Sequence, residues 1–414
     1  MKKRIILHVD VNNAFLSWTA VDKLNKGEKV DIRNRYAVIG GDESARRGIV
    51  LAKSNLCKQK GVKTAETLYQ ARKKCPYLEV YPGDYKLYRD FSNKMYNYLL
   101  KYTNIIERYS VDECFLDYTN SQELFGNPIK TAYQIKEDIK KQFGFTVNVG
   151  VGNNKLEAKM ASDFSKPDQV HTLFDEEIKT KMWPLPIEDL FMLGKSSAKK
   201  LRELDINTIG ELANQDINFL ISKFKSHGKL MWEYANGIDD SPVEFEYRDA
   251  KSISNSTVLP HDYKNREEII KVLKELTLSV GRRLRKTGFY AKNVNIWLRY
   301  NDFKKVSKQT NIENSINTDD EIIHYVIILL DKLWDKTTPI RGLSVGVGNL
   351  TTSHDKQLSL FDNKKHTHER QEVDDKLQKT IDEIKKKFGS DKIVYADMIE
   401  EKNTNKNNFN LQEN

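Results

Sequence analysis

Long hydrophobic runs, cysteine and internal repeats are scarce or missing in this chain. No apolar stretch is longer than Tyr325–Leu330, far short of the ~20 residues that cross a bilayer, so no membrane partner is expected. The opening MKKRIILHVDVNN has basic residues and a short apolar run. Asp10 interrupts that run and no small-residue cleavage site follows, so it does not read as a signal peptide. Cysteine occurs only as Cys57, Cys75 and Cys114. An odd count without metal-ligand spacing argues against a disulfide framework and against zinc, and places the chain in a reducing cytoplasm. What is abundant is charge. The 414 residues are 39% hydrophobic and 31% charged, with 68 Lys+Arg against 59 Asp+Glu, a net +9. That composition suits a soluble globular chain of two to four domains with an anionic partner.

Periodicity places the elements. Ile5–Val11 is a β-branched run predicting a buried strand that ends in a carboxylate. Leu87, Phe91, Met95, Tyr98, Leu99 and Tyr102 recur at helical spacing, predicting a helix over 85–102. Glu107–Asp117 predicts two short strands turning at Asp112-Glu113. Ile135, Ile139 and Phe143 predict a helix closed by Gly144. Thr146–Val151 predicts a strand, and Leu156, Met160 and Phe164 a helix stopping at Lys166-Pro167. This order suggests helices on a largely antiparallel sheet. Further on, Thr208-Ile-Gly-Glu211 fits a capping box and Asn236–Pro242 predicts a linker. A second mixed α/β unit runs from about 251 to 350, with an alternating strand over 293–300. The stripe Val373, Leu377, Ile381, Ile384, Phe388 predicts a tail helix, and the Asn-rich last fifteen residues predict disorder.

Asp10 ends a buried strand, and Asp112 and Glu113 sit together at a turn. Three such acids on neighbouring strands can hold hard cations for phosphoryl transfer; equally, they can be a turn cap and a solvated hairpin tip. The residues around them are more specific. Ser110–Asp117 (SVDECFLD), with Val9-Asp10-Val11-Asn12 upstream, resembles the two acidic motifs of the Y-family translesion DNA polymerases. Gly150–Pro167 (GVGNNKLEAKMASDFSKP) resembles a third motif, in the family's order and spacing, and the resemblance continues to about residue 350. It implies an α+β multidomain fold of the right-hand polymerase type. The palm would be residues 1–14 and 82–168, the fingers 15–81, and a helical thumb with a helix-hairpin-helix 169–238. A linker (239–251), an α/β little finger (252–351) and a tail (352–414) would follow. It also implies that Asp10, Asp112, Glu113 and the Val11 carbonyl hold two Mg²⁺ ions.

By the same resemblance Phe15 is the steric gate, whose ring excludes a ribose 2′-hydroxyl. From pattern alone it is a core residue at the head of a helix. Lys166 matches the family's triphosphate lysine, and Lys58 and Asn55 fall on the finger-helix positions that contact the nucleotide, with Asn55 replacing the usual tyrosine. Lys155 and Lys159 share a helix face, either reaching phosphate or forming a solvated stripe.

Leu190–Ala213 resembles a helix-hairpin-helix that holds backbone phosphates through Gly194 and Lys195. Met192 stands where that hairpin usually has a glycine. In Gly281–Lys308 nine cations face only Asp302, a local +8 interleaved with Tyr290, Trp297 and Tyr300. This predicts a DNA-binding surface using Arg282, Arg283, Arg285, Lys292 and Arg299, with Arg341 on a later strand. Gln357, Leu358, Leu360 and Phe361 resemble the peptide that bacterial polymerases insert into the ring-shaped sliding clamp. The expected partners are primer–template DNA, a deoxynucleoside triphosphate and that clamp. The expected state is a cytoplasmic monomer of the DNA-damage (SOS) response. Two rivals stay open: a metal-dependent nuclease, and a catalytically silent DNA- or clamp-binding protein.

Overall fold

The computed structural model describes residues 3–246, 249–353, 377–378, 380–389 and 393. The chain forms two compact units, residues 1–43 with 48–247, and residues 44–47 with 248–414. In the first, β1 (Ile6–Val11) leads to α1 (Ala14–Asn25), then β2 (Ala37–Gly40), β3 (Val50–Lys53), α2 (Asn55–Gln59), α3 (Leu68–Lys74) and β4 (Glu79–Pro82). Next come α4 (Tyr85–Leu99), β5 (Ile106–Arg108), β6 (Glu113–Asp117), α5 (Gln122–Phe125), α6 (Pro128–Phe143), β7 (Val147–Gly152), α7 (Lys155–Asp163) and β8 (Val170–Leu173). Four short helices finish it: α8 (Lys195–Arg202), α9 (Ile209–Ala213), α10 (Ile217–Phe224) and α11 (Ser226–Ala235).

The main sheet has the order β5-β6-β1-β7-β8 and is antiparallel except at β7–β8. Strand alternation sends Leu7, Val9 and Val11 to one face, where they join Cys114, Leu116, Val147 and Val149 in a core covered by Trp18, Met95 and Ile135 of α1, α4 and α6. Ile6 packs in a separate cluster with Phe115 of β6 and Ala158 of α7, so His8 and Asp10 share the face that α7 covers. That helix lies against bare backbone. A Cβ on Gly150 would fall 1.9 Å from the Ala158 carbonyl oxygen, and one on Gly152 would fall 2.5 Å from Glu157 Cβ. The two glycines of the GVG motif therefore let α7 rest directly on β7.

Local rules hold where they were expected to. Asn127 accepts from the Ile129 and Lys130 amides at the start of α6, and Gly144 (φ +78°) ends it. The Thr208 hydroxyl accepts from the Glu211 amide while Glu211 accepts from the Thr208 amide, the reciprocal box predicted. Two expectations change. The turn between β5 and β6 occupies residues 109–112, so Glu113 opens β6 instead of sitting at the tip. The segment after Asn236, expected to be a linker, is pinned to the first unit. Asn154 Nδ2 donates to the Gly237 carbonyl (2.8 Å), the Leu156 amide to Asp239 (3.1 Å) and Arg4 to the Ser241 carbonyl (2.9 Å). Val243 is buried against Ile6, Phe115 and Ala158.

A smaller sheet, β3-β2-β4, packs with α2 and α3 around Val38, Cys57, Leu68 and Ala71. The helices α8–α11 close on Leu201, Ile209, Leu212 and Leu220, together with Leu156 and Met160 of α7. In the second unit β9 (Ser252–Tyr263), α12 (Arg266–Thr287), β10 (Tyr290–Tyr300), β11 (Lys305–Ile316), α13 (Asp319–Leu333) and β12 (Ile340–Thr351) form an antiparallel sheet, β11-β10-β12-β9. Leu273, Leu276, Val326 and Leu330 of α12 and α13 bury its Val294, Ile296, Leu298, Leu343 and Val345. Residues 380–388 add a helical stretch. Among the described residues no helix is long and apolar enough to cross a membrane.

Candidate active site

Asp10 and Glu113 are register partners across β1 and β6, and the Val11 amide donates to the Asp112 carbonyl (3.1 Å). The two acidic motifs, a hundred residues apart in sequence, are thus joined by sheet pairing. Asp10 is only 5% exposed; a carboxylate so placed needs compensating charge. It has two cations: Lys166 Nζ lies 2.5 Å and Lys159 Nζ 3.4 Å from Asp10 Oδ2. Lys159 also reaches Glu113 Oε2 (3.1 Å), and His8 Nε2 meets the same oxygen at 3.2 Å.

The protonation pattern follows from these contacts. Burial works to raise Glu113, but the His8 hydrogen bond and Lys159 outweigh it and hold the acid down at about 2. Asp112 goes the other way. Burial pushes it up and the nearby charges of Asp10 and Glu113 add to that, against a 2.6 Å hydrogen bond from Ser110. Lys159 and Lys166 are both raised: burial opposes their charge, and Asp10 and Asp163 override it. Burial lowers His8, against the opposing pull of Glu113.

Among the described residues no three or more His, Cys, Asp or Glu side chains are gathered into a ready metal cluster. The donor set nonetheless suits a hard divalent cation. Every donor is oxygen, the acids are partly withdrawn from water, and two ammonium groups supply the positive charge they require. Asp10, Asp112, Glu113 and the Val11 carbonyl are the groups that would hold it.

Lys166 is delivered by a pinned loop. Asn148 of β7, fully buried, donates to the Ser162 (3.0 Å) and Ser165 (2.6 Å) carbonyls and accepts from the Gln169 amide (3.2 Å). Asn12 donates to Asn148 (3.1 Å) and accepts from the Asp168 amide (2.9 Å). Lys155 and Lys159, equivalent by spacing, prove different. Lys155 pairs with Glu107 at 2.7 Å while Lys159 holds the acids, so neither belongs to a solvated stripe.

Phe15 is half-buried and stacks on Tyr88 (4.4 Å between centroids, 6° between planes). Tyr88 is itself fixed by a 3.0 Å hydrogen bond with Thr19. A wall-mounted ring with one face packed fits both the core reading and the gate reading. Asn55 accepts from Asn13 Nδ2 (3.4 Å), which brings the start of α2 to the Asp10 end of β1, and exposed Lys58 follows one turn on. Gly194 caps α8 without a side-chain bond, and Lys195 is the first residue of that helix. Met192 adopts φ +64°, the left-handed backbone a glycine would take there.

In the second unit, the sheet face away from α12 and α13 is polar. Register sets Ser252, Ser254 and Ser256 beside Gly348, Gly346 and Ser344, then Asn293, Asn295 and Trp297, then Asn311, Gln309 and Ser307. At one end Arg299 pairs in register with Lys305, and both cations lie over Trp297. Arg283 on α12 reaches the β9 edge, donating to the Ser254 carbonyl (3.0 Å). Arg282 and Lys292 are half-buried. Arg341 lies over Phe303 and 3.8 Å from Asp262. Arg285 does not join this surface. Its guanidinium is buried between Asp319 (2.9 Å) and Asp382 (2.6 Å) and donates to the Asn317 carbonyl, so its predicted DNA contact is replaced by an internal one. Gln357, Leu358, Leu360 and Phe361 lie outside the described residues, as do Val373 and the last fifteen positions.

The impB/mucB/samB family profile matches residues 9–163, its HHH motif residues 175–206 and its C-terminal domain residues 250–360. A protein named DNA polymerase IV from Clostridium acetobutylicum is 48% identical over 399 residues, covering 96% of this chain and 98% of the relative. The chain belongs to the impB/mucB/samB family, the Y-family translesion DNA polymerases. DNA polymerase IV 2 of Bacillus subtilis is 35% identical, covering 96% of this chain and 95% of the relative. Among solved structures, a Y-family polymerase chimera of Dbh and Dpo4 superposes with a TM-score of 0.72 at 24% identity, covering 84% of this chain and all of the other.

Four residues of this Y-family chain have structural roles that no motif assigned to them: His8, Ser162, Asn12 and Asn148. One signal was available. Each is a polar residue within or beside an otherwise apolar segment, and buried polar groups are nearly always bonded.

Proposed function

We propose that this chain is a DNA-directed DNA polymerase that extends a primer opposite damaged template. The observation that carries the proposal is the pairing of Asp10 with Glu113 beside Asp112, with Lys166 held against Asp10, in a chain of Y-family sequence. We assign Asp10, Asp112, Glu113 and Val11 as ligands of two Mg²⁺ ions, which when bound would favour ionisation of the primer 3′-hydroxyl and neutralise the departing pyrophosphate. The chain's own groups do the rest. Lys166, released from Asp10 as cations arrive, would pair with the triphosphate, with Lys58 and Asn55 contacting it from α2. Phe15 would exclude a 2′-hydroxyl because Tyr88 leaves its ring no room to retreat. Gly194, Lys195, Arg282, Arg283, Lys292, Arg299 and Arg341 would hold backbone phosphates, positioning the duplex without reading its sequence.

The domain proposal matches this division of labour. The main sheet with α4, α6 and α7 is the palm (residues 1–14 and 82–168), residues 15–81 the fingers, 169–238 the thumb and 252–351 the little finger. We assign Gln357–Phe361 to the sliding clamp and the chain to the cytoplasm as a monomer.

A primer-extension assay tests the polymerase proposal. Asp112→Asn or Glu113→Gln should lower extension by roughly 100-fold or more while primer–template affinity persists. Extension at the wild-type rate would refute it. Shortening of labelled DNA without nucleotides would identify a nuclease, and DNA binding without turnover a silent binder.

A further inference from the structure

His8 lies on β1 two residues before Asp10, is fully buried, and is bonded at both ring nitrogens. Nε2 is 3.2 Å from Glu113 Oε2, and Nδ1 is 2.8 Å from the Ser162 hydroxyl on α7. A carboxylate only accepts, so Nε2 must carry the hydrogen that faces Glu113. Nδ1 lies 2.8 Å from the Ser162 hydroxyl, which itself donates to the Lys159 carbonyl at 2.7 Å, so the ring is tied at one edge to α7 and at the other to Glu113. The ring packs against Phe115 at 4.5 Å, so it has little freedom to turn.

Among the described residues two side chains hold the Glu113 carboxylate, both at Oε2. Lys159 is a flexible ammonium shared among Glu113, Asp10 and Asp163. His8 is a locked ring, and among the described residues Glu113 is the acid its N–H meets. We propose that His8 is a positioning residue that, held in place by Ser162 and Phe115, clamps Glu113 Oε2 and thereby turns Oε1 toward a divalent cation. The inference rests on Glu113 being a metal ligand and deepens that assignment. Bonds of this kind to a ligating group typically change metal affinity or activity 10–100-fold.

Mn²⁺ binding followed by electron paramagnetic resonance tests it. The sample is the full chain with primer–template DNA, a dideoxy-terminated primer and a deoxynucleoside triphosphate. Steady-state extension runs alongside. His8→Phe keeps the ring packing and removes the N–H. Its Mn²⁺ half-saturation should rise about 10-fold and kcat fall by a similar factor, with KM for the nucleotide and DNA affinity unchanged. His8→Gln places amide hydrogens near the Nε2 position and should restore most of both. Ser162→Ala, which removes only the hydroxyl, should weaken Mn²⁺ in the same direction and carries the test should His8→Phe fail to fold. Wild-type Mn²⁺ affinity in these variants, with affinity lost in Glu113→Gln, would overturn the role of His8. Wild-type affinity in Glu113→Gln would overturn the ligand assignment beneath it.

Discussion

Glu157 has no solvent exposure at all, and its Oε2 accepts from the Asn153 amide at 2.6 Å. Burial raises it from 4.5 to about 8, so the folded chain holds a proton that the unfolded chain releases. The stability this gives is complete below about pH 4.5, declines as pH rises, and levels off once the folded group ionises near pH 8. The wild type should therefore lose more thermal stability between pH 5 and pH 8 than Glu157→Gln, which stays neutral throughout. Parallel melting curves in calorimetry would show that Glu157 titrates normally. Phe15 offers a second check. A steric clash of about 1–3 kcal/mol corresponds to roughly 5- to 150-fold, so Phe15→Ala should raise the ratio of ribonucleotide to deoxynucleotide incorporation by a factor in that range. An unchanged ratio in a competition assay would return Phe15 to the core.

Elements were legible wherever the signal was local. The cap of α9, the glycine ending α6 and the stripe of α4 all depend on residues within a few positions of one another. The hairpin before α8 shows a local rule overridden. Met192 takes the left-handed backbone although it is not glycine, at a cost of about 1–2 kcal/mol. Its side chain is 56% exposed and contributes little packing. Met192→Gly should stabilise the first unit by about 0.5 kcal/mol, after the extra entropy of glycine in the unfolded chain is counted. A lower denaturation midpoint would mean that the 3.9 Å contact between the Tyr109 hydroxyl and Met192 Sδ matters more than the backbone. The fate of α7 was legible only in part. Spacing put Lys155 and Lys159 on one face, but the sheet beneath supplies Glu107 at one end and the Asp10–Glu113 pair at the other.

At the scale of the whole molecule, the +9 charge resolves into separate parts. Arg299 and Lys305 stand together at the polar sheet face, whereas Arg285 is neutralised internally by Asp319 and Asp382. Each neutralised phosphate steepens the dependence of log K on log salt by about 0.9. A double variant, Arg299→Ala with Lys305→Ala, should lower that slope by about 2, while Arg285→Ala should leave it unchanged. Arg285→Ala should instead destabilise the second unit by about 3 kcal/mol, because it strands the buried Asp319 carboxylate. Binding measured at several salt concentrations, with melting of the same variants, separates the two roles. The sequence by itself determined the strand that carries Asp10, the alternation that sets Asp10 opposite Val9 and Val11, and the glycines on which α7 rests. Each of these is a property of neighbouring residues. Only the tertiary structure decided that His8 would meet Glu113, that Lys159 and Lys166 would neutralise Asp10, and that Arg285 would turn inward. A buried charge must find its partner wherever the fold brings one, and here those partners lie from a few dozen to more than 150 residues away.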